Sequence, residues 1–353
     1  MQGKLNRVKQ MLVACVAWLW VAAFASAEPV SWGQEAEWRT LSSDHFSIHY
    51  LPELQDSALQ ALSIAEAVHA DLMPFFGSAP KQRTRMVLTD DVDWSNGWAT
   101  PLPYPQIRLY ASPPESNGSL ARYDDWLHLL IRHEYVHILH MELARGGANR
   151  SRSILGRWPF SFPHMFSPSM ILEGLAVYLE TNKEMGVGRL GSSYYEMAMA
   201  AEVANGLDDY DQVLVPLRDW PYSKAYLYGA YFVDFLVRKY GEQGIKRYLY
   251  ALSFELLPYL KIPSAFERAF GVPVEELWES FRRDMESRFK PSGQTFIAGV
   301  RLEGPATSQQ VLASWQGQLF AYQSNHQDRP ALWRYHTDTR TRSKEEGDSG
   351  VTS

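Results

Sequence analysis

Cysteine is nearly absent from this chain: Cys15 is the only one in 353 residues. A disulfide framework is therefore excluded, and an apolar core has to hold the fold. There is no run of basic residues either, and the formal charge is −6. Nucleic acid, which needs a cationic stripe to neutralise its phosphates, is not an expected partner. Internal repeats are lacking, which argues against solenoids and arrays. Long apolar runs are also missing, apart from Met11 to Ala25. That one is shorter than the ~20 apolar residues a membrane-spanning helix needs.

What is present begins with that run. Lys4, Arg7 and Lys9 precede it, and Ala25-Ser26-Ala27, a small-x-small cleavage site, closes it. The order is that of a secretory signal over residues 1–27, cut after Ala27. Leu12-Val13-Ala14-Cys15 resembles the lipobox of bacterial lipoproteins, but the apolar run follows Cys15 instead of preceding it, the wrong order for lipidation. The chain is thus expected to be exported, periplasmic or secreted, with no stable membrane span after cleavage. Loss of three of the 34 basic residues leaves 31 against 40 acidic ones, a net charge of −9.

Beyond the signal, the hydrophobic period divides the chain. Phe46, Ile48 and Tyr50 alternate with polar residues, as a half-buried strand does. A helix is expected over 57–76, strands over 85–89 and 106–112, and a Gly/Pro/Asp-rich loop over 90–105. From there to about residue 290 the pattern is helical. The helices expected are 123–145, ended by Gly146-Gly147; 170–181, opened by Ser167-Pro168; 223–240; and 274–289. Strands followed by helices predict an α+β domain over residues 28–290. Pro291-Ser292-Gly293 marks a boundary. A β-rich segment over 291–336 and a charged, disordered tail over 337–353 complete the expectation.

One motif carries chemistry. His133-Glu134-Tyr135-Val136-His137 lies in a strongly helical stretch, where positions i and i+4 share a face. Both imidazoles can then reach one metal ion, while Glu134 is rotated about 100° away, beside the ion and free to act as a general base. A catalytic zinc takes three protein ligands and leaves a fourth position open. Glu173, amid Ile171, Leu172, Leu175 and Val177, is the expected third, because an ionised carboxylate in an apolar helix needs a partner. Glu180, seven residues on, is the alternative ligand or a support behind the ligands. Gly174 allows a backbone or a substrate to approach closely.

HEYVH followed by Glu173-Gly174-Leu175-Ala176-Val177-Tyr178 resembles the gluzincin zinc metallopeptidases, in particular the peptidase MA-like families distantly related to the M1 aminopeptidases. The resemblance extends through Trp38 to Tyr50, Gln106 to Ser112 and Phe266 to Phe289, most of residues 38–290. It implies a thermolysin-like fold, one zinc per chain, and His133, His137 and Glu173 as ligands with Glu134 as base. It also implies a peptide or protein substrate whose backbone pairs with the strand before the metal helix, here Ile107 to Ala111. The Y-x-x-G context of Tyr226-Leu227-Tyr228-Gly229 gives Tyr226 the place of the family's oxyanion-stabilising tyrosine. A core tyrosine in an aromatic-rich helix is the other reading of Tyr226.

Two departures matter. The G-x-M-E-N segment that holds a free substrate amine in the aminopeptidases is absent, which favours an endopeptidase. No acid stands four residues after Glu173, where some relatives keep one that steadies the ligands; the residue is Val177. His140 is read as helix surface or as a support to the ligands, His164 as structural, and His128, Asp124 and Asp125 as capping and solvation. Leu319 to Tyr322 and Leu332 to Tyr335 resemble one hairpin of a TolB-like β-propeller blade, a domain that often follows the peptidase in this family. A peptidase-fold binding protein and a zinc hydrolase of a non-peptide amide or ester are the competing functional readings. The sequence leaves the oligomeric state open.

Overall fold

The computed structural model describes residues 37–92, 94–114, 120, 123–182, 184–215, 221, 223–289, 308–315, 318–324, 331–336, 339 and 341–344. The expected export signal, Cys15 and the Pro291-Ser292-Gly293 boundary lie outside these residues. The chain divides into two units, Met1–Lys290 and Pro291–Ser353. The first is a mixed α+β unit.

Its sheet comprises β1 (Arg39–Ser42), β2 (Phe46–Tyr50), β3 (Thr84–Thr89), β4 (Gly97–Thr100) and β5 (Gln106–Tyr110), in the order β1-β2-β3-β5-β4. The three central strands run parallel, while β1 and β4 pair antiparallel at the two edges. One face is apolar through Phe46, Ile48, Met86, Leu88, Ile107 and Leu109, all buried. Helix α1 (Gln55–Phe76) covers the sheet with Ala58, Ala61, Ala65, Val68 and Leu72, its small residues permitting close approach. Gly77, in the left-handed region at φ 69°, caps its end.

Two expectations need correction here. Residues 97–100, expected within a loop, form strand β4. Flanking Gly, Pro and Asp hide a short edge strand from any period-two test, and its pairing partner β5 is what makes it a strand. Consequently β5, expected to be the substrate-facing edge, is interior, and β4 is the edge.

Helix α2 (Trp126–Glu142) runs against α1 and β4 and is buried on nearly every side. Asp125 caps it by accepting from the backbone N–H of His128 at 3.1 Å. Tyr135, inside the HExxH motif, donates to or accepts from His69 Nδ1 on α1 at 2.7 Å. The two variable positions of the motif, Tyr135 and Val136, are core residues that anchor it. The helix ends at Glu142, before the expected Gly146-Gly147 stop. Gly146 instead opens α3 (Gly146–Leu155) with φ 49°, at a place where a Cβ would stand 2.6 Å from the Phe254 ring.

The helical lobe continues with α4 (Ser169–Glu180), α5 (Ser193–Asn205), α6 (Tyr210–Leu214), α7 (Lys224–Tyr240), α8 (Glu242–Leu252), α9 (Ile262–Phe270) and α10 (Val274–Arg288). Pro168 occupies the N-cap position of α4, one place before the N1 position expected for it. The closest crossing is between α4 and α7. A Cβ on Gly174 would stand 2.3 Å from the Gly229 carbonyl carbon, and one on Gly229 only 2.0 Å from the Met170 oxygen. Gly174 therefore serves the approach of another backbone. None of the described helices is long and apolar enough to cross a membrane.

The second unit contains β6 (Ser308–Trp315), β7 (Gln318–Ser324), β8 (Ala331–His336) and β9 (Thr341–Lys344), an antiparallel sheet in chain order. The expected hairpin is thus part of a four-stranded meander. Thr341–Lys344, expected in a disordered tail, pairs with Trp333–His336. Backbone pairing to β8 holds it although Ser343 and Lys344 are exposed, so apolar patterning gives no sign of it.

Candidate metal centre

One turn of α2 separates His133 from His137, and their Nε2 atoms face each other at 3.2 Å. Glu173, on the second turn of α4, brings Oε2 to 3.4 Å from His133 Nε2 and 3.2 Å from His137 Nε2. These three atoms form a nearly equilateral triangle. Ligands about 2.0–2.1 Å from a tetrahedral ion stand about 3.3–3.4 Å from one another, so the triangle has the size such an ion needs. Glu173 Oε2 is buried and makes no hydrogen bond. A carboxylate oxygen left without a donor among two imidazoles is costly unless a cation occupies the space between them. Neutral imidazole and carboxylate form a donor set suited to zinc, and three ligands leave a fourth position open.

The ionisation of the site fits a missing positive charge. Burial and the Arg189 guanidinium both disfavour a charged His133, yet the carboxylates of Glu173 and Glu180 outweigh them and raise its pKa to about 9. Burial pushes Glu173 up, but the two imidazoles hold it far below the usual carboxylate range.

Behind His133 lies the carboxylate support that position 177 lacks. Glu180 Oε2 accepts from His133 Nδ1–H at 2.7 Å, which leaves Nε2 as the ligating nitrogen. Arg189 then grips both oxygens of Glu180, Nε to Oε1 and Nη2 to Oε2, each at 2.7 Å. Glu180 is accordingly tied to Arg189 and His133 Nδ1, and Glu173 is the carboxylate that completes the group able to hold a metal ion. The Asn182–Val187 bridge folds the chain back after α4. Gly188, at φ 86°, sits where a Cβ would meet Thr181 Cα at 2.6 Å, so Arg189 returns to Glu180 nine residues on. Sequence reasoning missed Arg189, because a single arginine after Gly186-Val187-Gly188 carries neither periodicity nor motif.

Glu134 is buried beside the triangle, and burial raises its pKa while the two imidazoles pull it down. Glycine at position 97 makes its space: a Cβ there would stand 3.0 Å from Glu134 Oε1 and 2.8 Å from Leu130 Cδ1. Strand β4 can therefore lie directly against the metal helix. Tyr226, on the first turn of α7, stacks on His133 at 6.2 Å between ring centroids. Burial, followed by the nearby Glu173 carboxylate, pushes the pKa of its hydroxyl up. The Gly174–Gly229 crossing explains the placement. With the helices pinned there, Tyr226 lies one turn before Gly229 and Glu173 one residue before Gly174.

A cleft of ≈ 240 Å³ opens onto these groups, with Gly97, Trp126, Leu130, Glu134, Arg189 and Tyr226 among its walls. It combines apolar walls with a few convergent polar groups, as ligand sites do.

The remaining histidines are elsewhere. His140 is fully buried, contrary to the surface reading, and its Nε2 meets His164 Nδ1 at 3.1 Å. His164 Nε2–H donates to the Leu249 carbonyl at 3.1 Å, so its Nδ1 is the acceptor from His140 Nε2–H. His128, Asp124 and Asp125 stand outside the triangle, Asp125 as the cap already described. Among the described residues, His133, His137 and Glu173 are the one group of three or more His, Cys, Asp or Glu placed to hold a metal ion. No protein-family model matches the chain, and no curated protein is detectably similar to it in sequence.

Proposed function

We propose that this chain is an exported zinc-dependent peptidase of the gluzincin type, with one zinc on His133, His137 and Glu173. The observation that carries the reading is the triangle of His133 Nε2, His137 Nε2 and Glu173 Oε2 at 3.2–3.4 Å, with Oε2 buried and lacking any hydrogen bond. When bound, zinc polarises a peptide carbonyl and lowers the pKa of water. Glu134 takes the proton of the attacking water and passes it to the leaving amine nitrogen. The Tyr226 hydroxyl donates toward the oxygen that gains charge. Glu180 and Arg189 keep His133 in one tautomer and one orientation.

A thermolysin-like arrangement is supported by the antiparallel edge strand beside the metal helix. Strand β4, with its outer edge next to Glu134, takes the substrate-pairing role that the resemblance assigned to the strand over residues 107–111. A binding protein that kept only the fold would have no use for a buried carboxylate at Glu134, a position costly to maintain without a task. The meander of β6 to β9 fits a propeller blade, which is commonly a four-stranded sheet.

Glu134→Gln separates catalysis from binding. Against an unstructured protein substrate, the variant should retain zinc and lose about 10²–10⁴-fold in kcat. Undiminished hydrolysis by the variant, or none by zinc-loaded wild type, would rule the peptidase reading out.

A further inference from the structure

We infer that the helical lobe carries a peripheral membrane-binding face directed at anionic phospholipid, separate from the metal centre. Between residues 250 and 260, Tyr250, Phe254, Leu256, Leu257, Tyr259 and Leu260 are each 41–74% exposed. Single exposed apolar residues are ordinary, but six large ones in eleven positions make a patch that a monomeric surface seldom presents to water. The patch is built on purpose-shaped backbone. Glycines 146 and 147 let the start of α3 lie against Phe254 and Leu256, and the Arg145 N–H donates to the Ser253 carbonyl at 2.8 Å. The Tyr250 and Phe254 rings meet at 5.0 Å.

Charge selects the occupant. The protein as a whole is acidic, at −6, yet residues 143–172 contain Arg145, Arg150, Arg152 and Arg157 and no Asp or Glu. Arg152 and Arg157 are tied to Glu142. Arg145 and Arg150 are exposed, as are Arg247 and Lys261, which flank residues 250–260 in sequence. The Arg145 guanidinium lies over the Tyr250 ring at 5.0 Å. Glu255, within the patch, is answered by Arg268 at 3.1 Å. Beside Tyr250 a cleft of ≈ 150 Å³ is walled by Phe75 and Phe76, with Arg145 and Lys246 at its sides and no carboxylate in its lining. Lys246 also reaches Glu242, at 3.7 Å.

Exposed Leu, Phe and Tyr with Arg145 and Lys246 beside them match the chemistry of a bilayer interface: side chains enter the headgroup boundary while cations meet lipid phosphates. A protein partner would have to be both apolar and acidic over the same area. The anionic lipid surface offers both without further assumption, and the cationic cleft receives a headgroup phosphate.

The test is flotation of the chain from which residues 1–27 have been cleaved, with vesicles of phosphatidylcholine alone and with roughly a third phosphatidylglycerol. Binding should require the anionic lipid and weaken with salt. Arg145→Glu should lower partitioning at least about fivefold, the loss expected per cation near a charged surface. Leu257→Glu with Leu260→Glu should abolish it, with the circular-dichroism melting curve unchanged because both side chains are exposed. Absence of binding to anionic vesicles, or full binding by the folded variants, overturns the inference. So does a dimer, measured by light scattering, that the Leu257→Glu/Leu260→Glu chain no longer forms, since the face would then belong to a second copy.

Discussion

At the residue scale, the centre is made of atoms whose hydrogen bonds assign their roles. His133 has both ring nitrogens committed: Nδ1–H to Glu180 and Nε2 to the triangle. The Arg189–Glu180 pair is the device that fixes this orientation. Replacing Glu180 by Gln weakens the acceptor, and replacing Arg189 by Met frees the carboxylate to turn. Each should lower zinc affinity about 10–100-fold, measured by competition with a chromophoric chelator, in a chain that still folds. Equal affinity in both variants would show that Glu180 does not position the ligand. The residues of the centre were unequally legible in the sequence. His133, Glu134 and His137 are visible because their relation is local, one helical turn, and Glu173 because an acid in an apolar run demands a partner. Arg189 was not, and Glu180 was legible only as one of two alternatives, ligand or support, since their pairing depends on a chain reversal that only folding creates.

At the scale of elements, the site depends on how closely two helices cross. Gly174 of α4 and Gly229 of α7 touch backbone to backbone, and Glu173 and Tyr226 lie within one turn of that contact. Gly174→Ala would force the helices apart, with a destabilisation of about 3 kcal/mol, the upper end for overpacking. Zinc affinity should fall with it, because Glu173 moves relative to α2. Urea unfolding and metal titration on the same sample check both; a fully stable Gly174→Ala chain would mean that the crossing adjusts freely. The period of the sequence revealed β2, β3, β5 and the long helices, since burial on one face leaves a repeating trace. It concealed β4, whose few residues are paired on one side only, and β9, whose strand character comes from backbone bonds to β8 and not from apolar side chains.

At the scale of the whole molecule, acid should unfold the protein through the buried His140–His164 pair as well as through its carboxylates. Burial lowers His164 from 6.5 to about 3, against a weaker opposing effect of its hydrogen bond to the Leu249 carbonyl, and His140 is likewise held well below 6.5. A native pKa below the unfolded one means that the unfolded chain binds protons first. The stability contributed by the pair is therefore complete above about pH 6.5 and is lost as pH falls, for His164 by about 1.4 kcal/mol per pH unit down to about 3. Urea midpoints across this range should show the slope, and His164→Gln should reduce it, most clearly between about pH 6.5 and 5, above the carboxylate range. The central claim, however, concerns the metal, and its most direct test is the zinc content of the purified full-length chain beside His137→Ala and Glu173→Ala. The geometry predicts about one zinc per chain in the wild type and its loss in both variants. A wild-type chain that holds no zinc after zinc-replete preparation, or variants that keep it, would contradict the three-ligand centre.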